Sequence, residues 1–191
     1  MSTARGTSPH LGADRFVQPS SDRSTPVFDT SVGRIGLAIC YEIRFPEVIR
    51  CLALAGAQIV LLPTNWPEEG RILADHFTRV RAAENFVHLL ASNRPDWERG
   101  TRFIGASSIT GPYGTPVRRA DSEEAVLLAD ITPSQALEKS IVVEPGEFEI
   151  HPWRDRRPLD YRPLGEERLK TGTPETPLTR RAKDVPDRSR R

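Results

Sequence analysis

The 191-residue sequence holds only three lysines, Lys139, Lys170 and Lys183, among 27 basic residues. Its first 39 residues contain neither lysine nor glutamate. Cysteine is equally scarce: Cys40 and Cys51 are too few for a disulfide framework. No apolar run approaches the roughly 20 residues of a membrane-spanning helix. The opening MSTARGTSPHLGADR lacks the continuous apolar core of a secretory leader. A net charge of +1 gives no electrostatic case for a nucleic-acid partner. There is no glycine-rich phosphate loop and no nicotinamide or flavin fingerprint, and His76, His88 and His151 stand at no metal-ligand spacing. These absences predict a cytosolic chain with reduced thiols, no cofactor and no metal.

What is present reads as one globular domain, with 37% hydrophobic and 28% charged residues. Residues 1–26 are rich in Ser, Thr, Pro and Gly and form an irregular leading segment. PVFDTSVGRIGLAIC predicts a short strand, a turn centred on Ser31–Gly33 and a longer strand from Arg34 to Cys40. Pro46 suits the first turn of a helix. Val48, Cys51, Leu52 and Ala55 follow at the spacing of one buried helical face, and Gly56 marks the stop. AQIVLLPTNW is a strand covered on both faces and ended by its proline. A second amphipathic helix spans Arg71 to Asn85, with Leu73, Phe77 and Val80 on its stripe. FVHLLASN, FIGASSIT, TPVRRA and AVLLADI read as later strands, with GPYG (111–114) as a turn. This order predicts an α/β fold built on a mixed sheet. From residue 165 to 191 eight basic and five acidic residues accompany three prolines, the composition of a disordered charged tail. Such a tail either touches RNA or an acidic partner or is idle and solvated, and the idle reading is preferred.

Cys51, on an apolar stripe, reads as a packing residue. Cys40 is placed differently, at the end of a strand and followed by Tyr41 and Glu42. Sites in open α/β sheets form beyond the carboxyl ends of strands, and a helix start favours the thiolate. The Tyr41 backbone N–H would supply half of an oxyanion hole for a carbonyl attacked by Cys40. Spacing alone leaves the nucleophile and the core reading balanced.

The motifs together resemble the nitrilase, or carbon–nitrogen hydrolase, superfamily. VFDTSVGRIGLAICYEIRFPE is similar to its nucleophile segment, with Cys40 at the catalytic cysteine, and GAQIVLLPTNWP resembles the next strand and substrate-side loop. RVRAAENFVHLLASNR, FIGASSITGPYG and DRRPLDY match later segments in the right order. The CYE triplet is more like the amidase and carbamoylase branches. The resemblance implies a domain over 27–164 that is part of a four-layer α–β–β–α sandwich, short of the family's amino-terminal strands and helices. It further implies hydrolysis of a linear amide or N-carbamoyl C–N bond through a Cys40 thioester, a small-molecule amide substrate, no cofactor, and a homodimer or larger homo-oligomer.

By the same resemblance the chemistry needs a glutamate base and a lysine over the oxyanion. RGTSPHLGADRF resembles the lysine segment, with His10 and Leu11 matching and Arg5 and Asp14 nearby, but it has no lysine. The expectation is a chain corresponding to the back part of an amidase, catalytically poor alone, with apolar faces and a sheet edge exposed. The alternative is an inactive family fragment that serves as a binding or assembly partner. Among other residues near the site, Glu42, Asn65 and Trp66 are expected on the substrate side, although a plain packing role suits Trp66 equally. Arg44 with Glu47 is expected to hold the loop as a charged pair, and Arg81 with Glu84 to form a structural ion pair on the second helix.

Overall fold

A computed structural model describes residues 25–165. The leading segment through residue 24, including Arg5, His10, Leu11 and Asp14, and the tail from residue 166 lie outside the described residues. The chain divides into a compact unit ending at Trp153 and a second beginning at Arg154, inside the span expected to form one domain. The second unit has a 3₁₀ turn over Pro158–Gly165, where Arg157 pairs with Asp160 at 2.9 Å.

In the first unit, β1 (Val27–Thr30) and β2 (Gly33–Leu37) form an antiparallel hairpin with Thr30 opposite Gly33. The turn needs a residue at positive φ, and Gly33 supplies it at φ +122°. Beyond a turn over Cys40–Arg44, α1 (Pro46–Leu54) starts on the proline and ends before Gly56, whose φ of +93° reverses the chain. β3 (Ile59–Thr64) lies parallel to β2, and β4 (His88–Asn93) parallel to β3. β7 (Ser108–Thr110) and β8 (Pro116–Arg119) continue the sheet antiparallel, joined by the GPYG turn with Gly114 at φ +76°. The strand order is β1-β2-β3-β4-β7-β8. Two ribbons stand apart from this sheet, β5 (Trp97–Glu98) with β6 (Thr101–Arg102), and β9 (Ile141–Glu144) with β10 (Phe148–Ile150).

The helical stretch between β3 and β4 opens with a π turn over Leu73–Phe77 and continues as α2 (Thr78–Asn85). Right-handed crossovers that step twice in the same direction put both helices on one face of the sheet, and α1 packs against α2. The core lies between: Ile49, Leu52 and Ala53 from α1 meet Val60, Leu62, Leu89 and Ala91 from the strands, all at most 4% exposed. Each large aliphatic chain so buried contributes roughly 2 kcal/mol. Gly36 makes room for α1, because a Cβ there would come within 3.2 Å of Leu52 and 3.1 Å of Ala57. The opposite face is partly bare. Register aligns Phe28 with Ile35, Leu37 with Leu61, and Leu61 with Leu90, and Phe28 is 52% and Leu37 40% exposed. The sheet with its helices supplies one α and one β layer, and the expected exposed apolar face is present.

Several expectations are corrected. The inward face of α1 is Ile49, Leu52 and Ala53, one position round from the stripe anticipated, so Cys51 is exposed and does not pack. The larger Ile49 takes the core place that Val48 was expected to fill. Val80 is 50% exposed, because the π turn lengthens the repeat to four residues: Leu73, Ala74, Thr78, Arg81, Ala82 and Asn85 point inward instead. Pro63 does not end β3, which runs on to Thr64 with Pro63 opposite Ser92. Only the last three residues of FIGASSIT are strand. AVLLADI is no strand among the described residues; Val126 is 87% and Leu128 81% exposed. An apolar run makes a strand only where a neighbour takes the ladder hydrogen bonds.

Candidate functional site at the carboxyl edge of the parallel strands

Three parallel strands end together. Beyond β2 comes Cys40, beyond β3 come Asn65 and Trp66, and β4 finishes at Asn93. β2 itself stops at Leu37, with the Ala38 N–H bonded to the Leu61 carbonyl at 3.1 Å, so Cys40 stands in the turn after the strand and not within it. Its φ is +42°, the left-handed region that costs an L-residue about 1–2 kcal/mol. Cys40 is half-buried against the core cluster and carries a free thiol.

The turn is clasped at its start. The Glu42 carboxylate oxygen Oε2 accepts the Ile39 N–H at 2.8 Å, while the Glu42 N–H donates to the Ile39 carbonyl at 2.9 Å. Glu42 is 4% exposed, its Oε1 is buried without a hydrogen-bond partner, and burial pushes its carboxyl above the ordinary carboxylate range. It therefore sits in the floor of the turn, where its short reach back to Ile39 holds it. The middle of the turn is held by Arg81 of α2, whose Nε donates to the Ile43 carbonyl at 3.0 Å. Arg81 also pairs with Glu84 at 3.0 Å and lies 5.2 Å from the centroid of the Phe77 ring, so the expected structural ion pair is present.

Tyr41 is exposed, its ring edge-on to Phe45 at 5.3 Å between centroids. Arg44 lies over the Tyr41 ring at 6.0 Å, and no ion pair joins it to Glu47 among the described residues. Both side chains are exposed, so water competes with an ion pair that the aromatic face replaces. Asn65 is exposed, whereas Trp66 is 2% exposed with its indole N–H unpartnered.

Asn93 was not anticipated. Its Oδ1 accepts the Trp66 N–H at 2.7 Å and the Thr64 hydroxyl at 3.2 Å, and its Nδ2 donates to the Gly105 carbonyl at 2.7 Å. Ser107 Oγ completes the knot, accepting the Asn93 N–H at 2.9 Å. The available signal was a single amide closing the apolar run LLAS. One residue thus fixes the loop that follows β3 from the strand beside it.

Lys139 is the first lysine of the sequence, and it lies at the other end of the sheet. Its Nζ donates to the Asn85 and Phe86 carbonyls at 2.9 Å each, capping α2 just ahead of β4, and it sits 4.8 Å from the Trp153 ring. Burial, with the Arg50 charge, lowers its amine to about 8. Because β2 and β4 run parallel, this position is remote from Cys40 and cannot serve an oxyanion there. A cavity of about 270 Å³ lined by His88, Tyr113, Asp130 and Gln135 is also at that far end. Among the described residues no group of three or more His, Cys, Asp or Glu side chains is arranged to hold a metal, and no helix is long and apolar enough to cross a membrane.

The sequence profile of the family described as "Carbon-nitrogen hydrolase" matches residues 8–138. The chain belongs to the carbon–nitrogen hydrolase family. Among relatives, this family member is 36% identical to an N-carbamoylputrescine amidase of Solanum tuberosum over 170 residues, covering 79% of this chain and 53% of the relative. It is 36% identical to a probable nitrilase of Schizosaccharomyces pombe over 118 residues, 60% of this chain and 43% of the relative. Among solved structures, the amidase from Nesterenkonia sp. AN1, in a mutant with the acetamide moiety of fluoroacetamide added covalently at the active-site cysteine, matches with a TM-score of 0.61 and 28% identity. That match covers 74% of this chain and 48% of the amidase. The chain thus spans about half the length of the relatives it matches. Its mixed sheet with helices is the α/β arrangement of nitrilase-superfamily amidases.

Proposed function

We propose that Cys40 is the nucleophile of a carbon–nitrogen hydrolase acting on a small linear amide or N-carbamoyl compound. The observation that carries this reading is the backbone of Cys40: a non-glycine residue held at φ +42° between a parallel strand and a helix, at the sheet edge where α/β sites form. Sharp strand-to-helix turns of this kind lift a nucleophile clear of the sheet. The covalent adduct at the cysteine of the Nesterenkonia amidase and the amidase names of the curated relatives support the same chemistry.

In the proposed reaction the Cys40 sulfur bonds to the amide carbon, with the Tyr41 N–H directed at the developing oxyanion. The C–N bond then breaks, and the thiol proton leaves on nitrogen as ammonia. Water adds to the resulting thioester, the C–S bond breaks, and a proton returns to sulfur. Exposed Asn65 and buried Trp66 follow β3 at the same edge of the sheet, which supports a substrate-side role for that loop.

A second reading is favoured by one specific observation. The family resemblance calls for a lysine over the oxyanion, and Lys139 is committed to the far end of the sheet. Losing an oxyanion cation removes orders of magnitude in rate. The 191-residue chain alone is then a slow catalyst, or a non-catalytic partner for another chain. The test is ammonia release from acetamide and from N-carbamoyl amino acids by the chain and by its Cys40→Ser variant. Turnover lost in the variant supports the hydrolase; turnover that survives it overturns the cysteine mechanism. No release from either protein supports the non-catalytic reading.

A further inference from the structure

We infer that Glu42 is the positioning residue that locks Cys40 into its left-handed backbone, acting from beneath the turn through the Ile39 N–H and not on substrate. The inference rests on the hydrolase reading of Cys40 and names what prepares that nucleophile.

Three hydrogen bonds of Glu42 bracket the cysteine. The Oε2–Ile39 N–H bond at 2.8 Å and the Glu42 N–H to Ile39 carbonyl bond at 2.9 Å tie the residue before Cys40 to the second residue after it. The Glu42 carbonyl then accepts the Phe45 N–H at 3.1 Å, joining the turn to the start of α1. A residue with a Cβ occupies positive φ at a cost, which its surroundings must offset. Glu42 is the side chain that does so. A shorter carboxylate would not span back to Ile39, and an apolar residue would leave that N–H without its acceptor.

The unpartnered Oε1 fits this role. A buried carboxylate oxygen with no donor is costly as an anion and tolerable as half of a neutral acid. Burial raises the Glu42 carboxyl in the direction that favours the neutral form. A neutral acid places no negative charge against the thiolate that Cys40 must form. Glutamine, neutral and nearly isosteric, should therefore replace Glu42, which would not hold for a residue acting as a general base.

Iodoacetamide alkylation of the 191-residue chain tests this, with exposed Cys51 as the internal reference. Glu42→Ala is expected to slow Cys40 by about tenfold relative to Cys51, the effect of one lost hydrogen bond to the turn. Glu42→Gln is expected to restore most of that rate. Amide hydrogen exchange at Ile39 is expected to quicken in the alanine variant and stay protected in the glutamine variant, which separates lost positioning from general unfolding. The inference is overturned if alanine leaves the Cys40 rate and Ile39 protection unchanged, or if glutamine falls as far as alanine. Should Cys40 of the unaltered chain react no faster than Cys51, the hydrolase reading fails, and Ile39 exchange still decides the clasp.

Discussion

Arg81 of the second helix donates from Nε to the carbonyl of Ile43, 38 residues earlier, at 3.0 Å. The same guanidinium holds Glu84 and covers the Phe77 ring. It is the one described link from α2 into the turn that bears the candidate nucleophile by a side-chain hydrogen bond to its backbone.

Replacing Arg81 by Met should keep its stem in the core and remove the guanidinium, stranding the Ile43 carbonyl and leaving the Glu84 carboxylate with the Asn85 amide at 3.4 Å. The expected loss is about 3 kcal/mol in a urea titration. Cys40 alkylation should slow as well, because the turn loses its second tether. A loss below about 0.5 kcal/mol would show the pair to be a spectator.

The left-handed backbone of Cys40 gives a separate test. Cys40→Gly relieves the strain and Cys40→Ala retains it, so glycine should be the more stable of the two by about 1 kcal/mol. Denaturant midpoints of the two variants measure the difference. Equal midpoints would mean that φ +42° carries no strain in solution.

Asn93 should be among the least replaceable residues of the site. Asn93→Ala leaves the Trp66 N–H and the Gly105 carbonyl without partners, costing about 2 kcal/mol. Trp66 is buried and so reports on its loop, and its fluorescence should move to the red as the loop loosens. Unchanged emission would mean that the loop holds its place without the amide.

Lys139 predicts a pH dependence of opposite sign to that of a salt-bridged lysine, whose amine is raised in the fold. Its amine is lowered to about 8 in the fold, against 10.5 in the unfolded chain. Between those values the unfolded state binds more protons, so stability should rise with pH from about 8 to 10.5. Thermal melts across that window check it. Lys139→Met should flatten the rise while lowering stability throughout, since the Asn85 and Phe86 carbonyls lose their cap.

Local chemistry made much of this legible in the sequence. Pro46 opens α1, Gly33 and Gly114 sit in the turns where positive φ is needed, and the pairing of Arg81 with Glu84 follows from helical spacing. Errors arose where a distant partner decides. Cys51 is exposed while Ile49 is buried, and the close approach of Leu52 to Gly36 belongs to another element that the helix sequence does not announce. AVLLADI is apolar like a buried strand, but pairing is a property of two segments. Nothing in CYE announces a carboxylate folded back onto Ile39. Asn93 was passed over because its bonds reach residues 12 to 29 positions away.

The wide turn over Leu73–Phe77 has a bearing on evolution and design. One surplus residue there acts as a vernier, rotating everything downstream by about 100°. Deleting a single residue between Leu73 and Phe77 would leave composition nearly unchanged yet swing the guanidinium of Arg81 away toward solvent, uncoupling helix from sulfur without touching either.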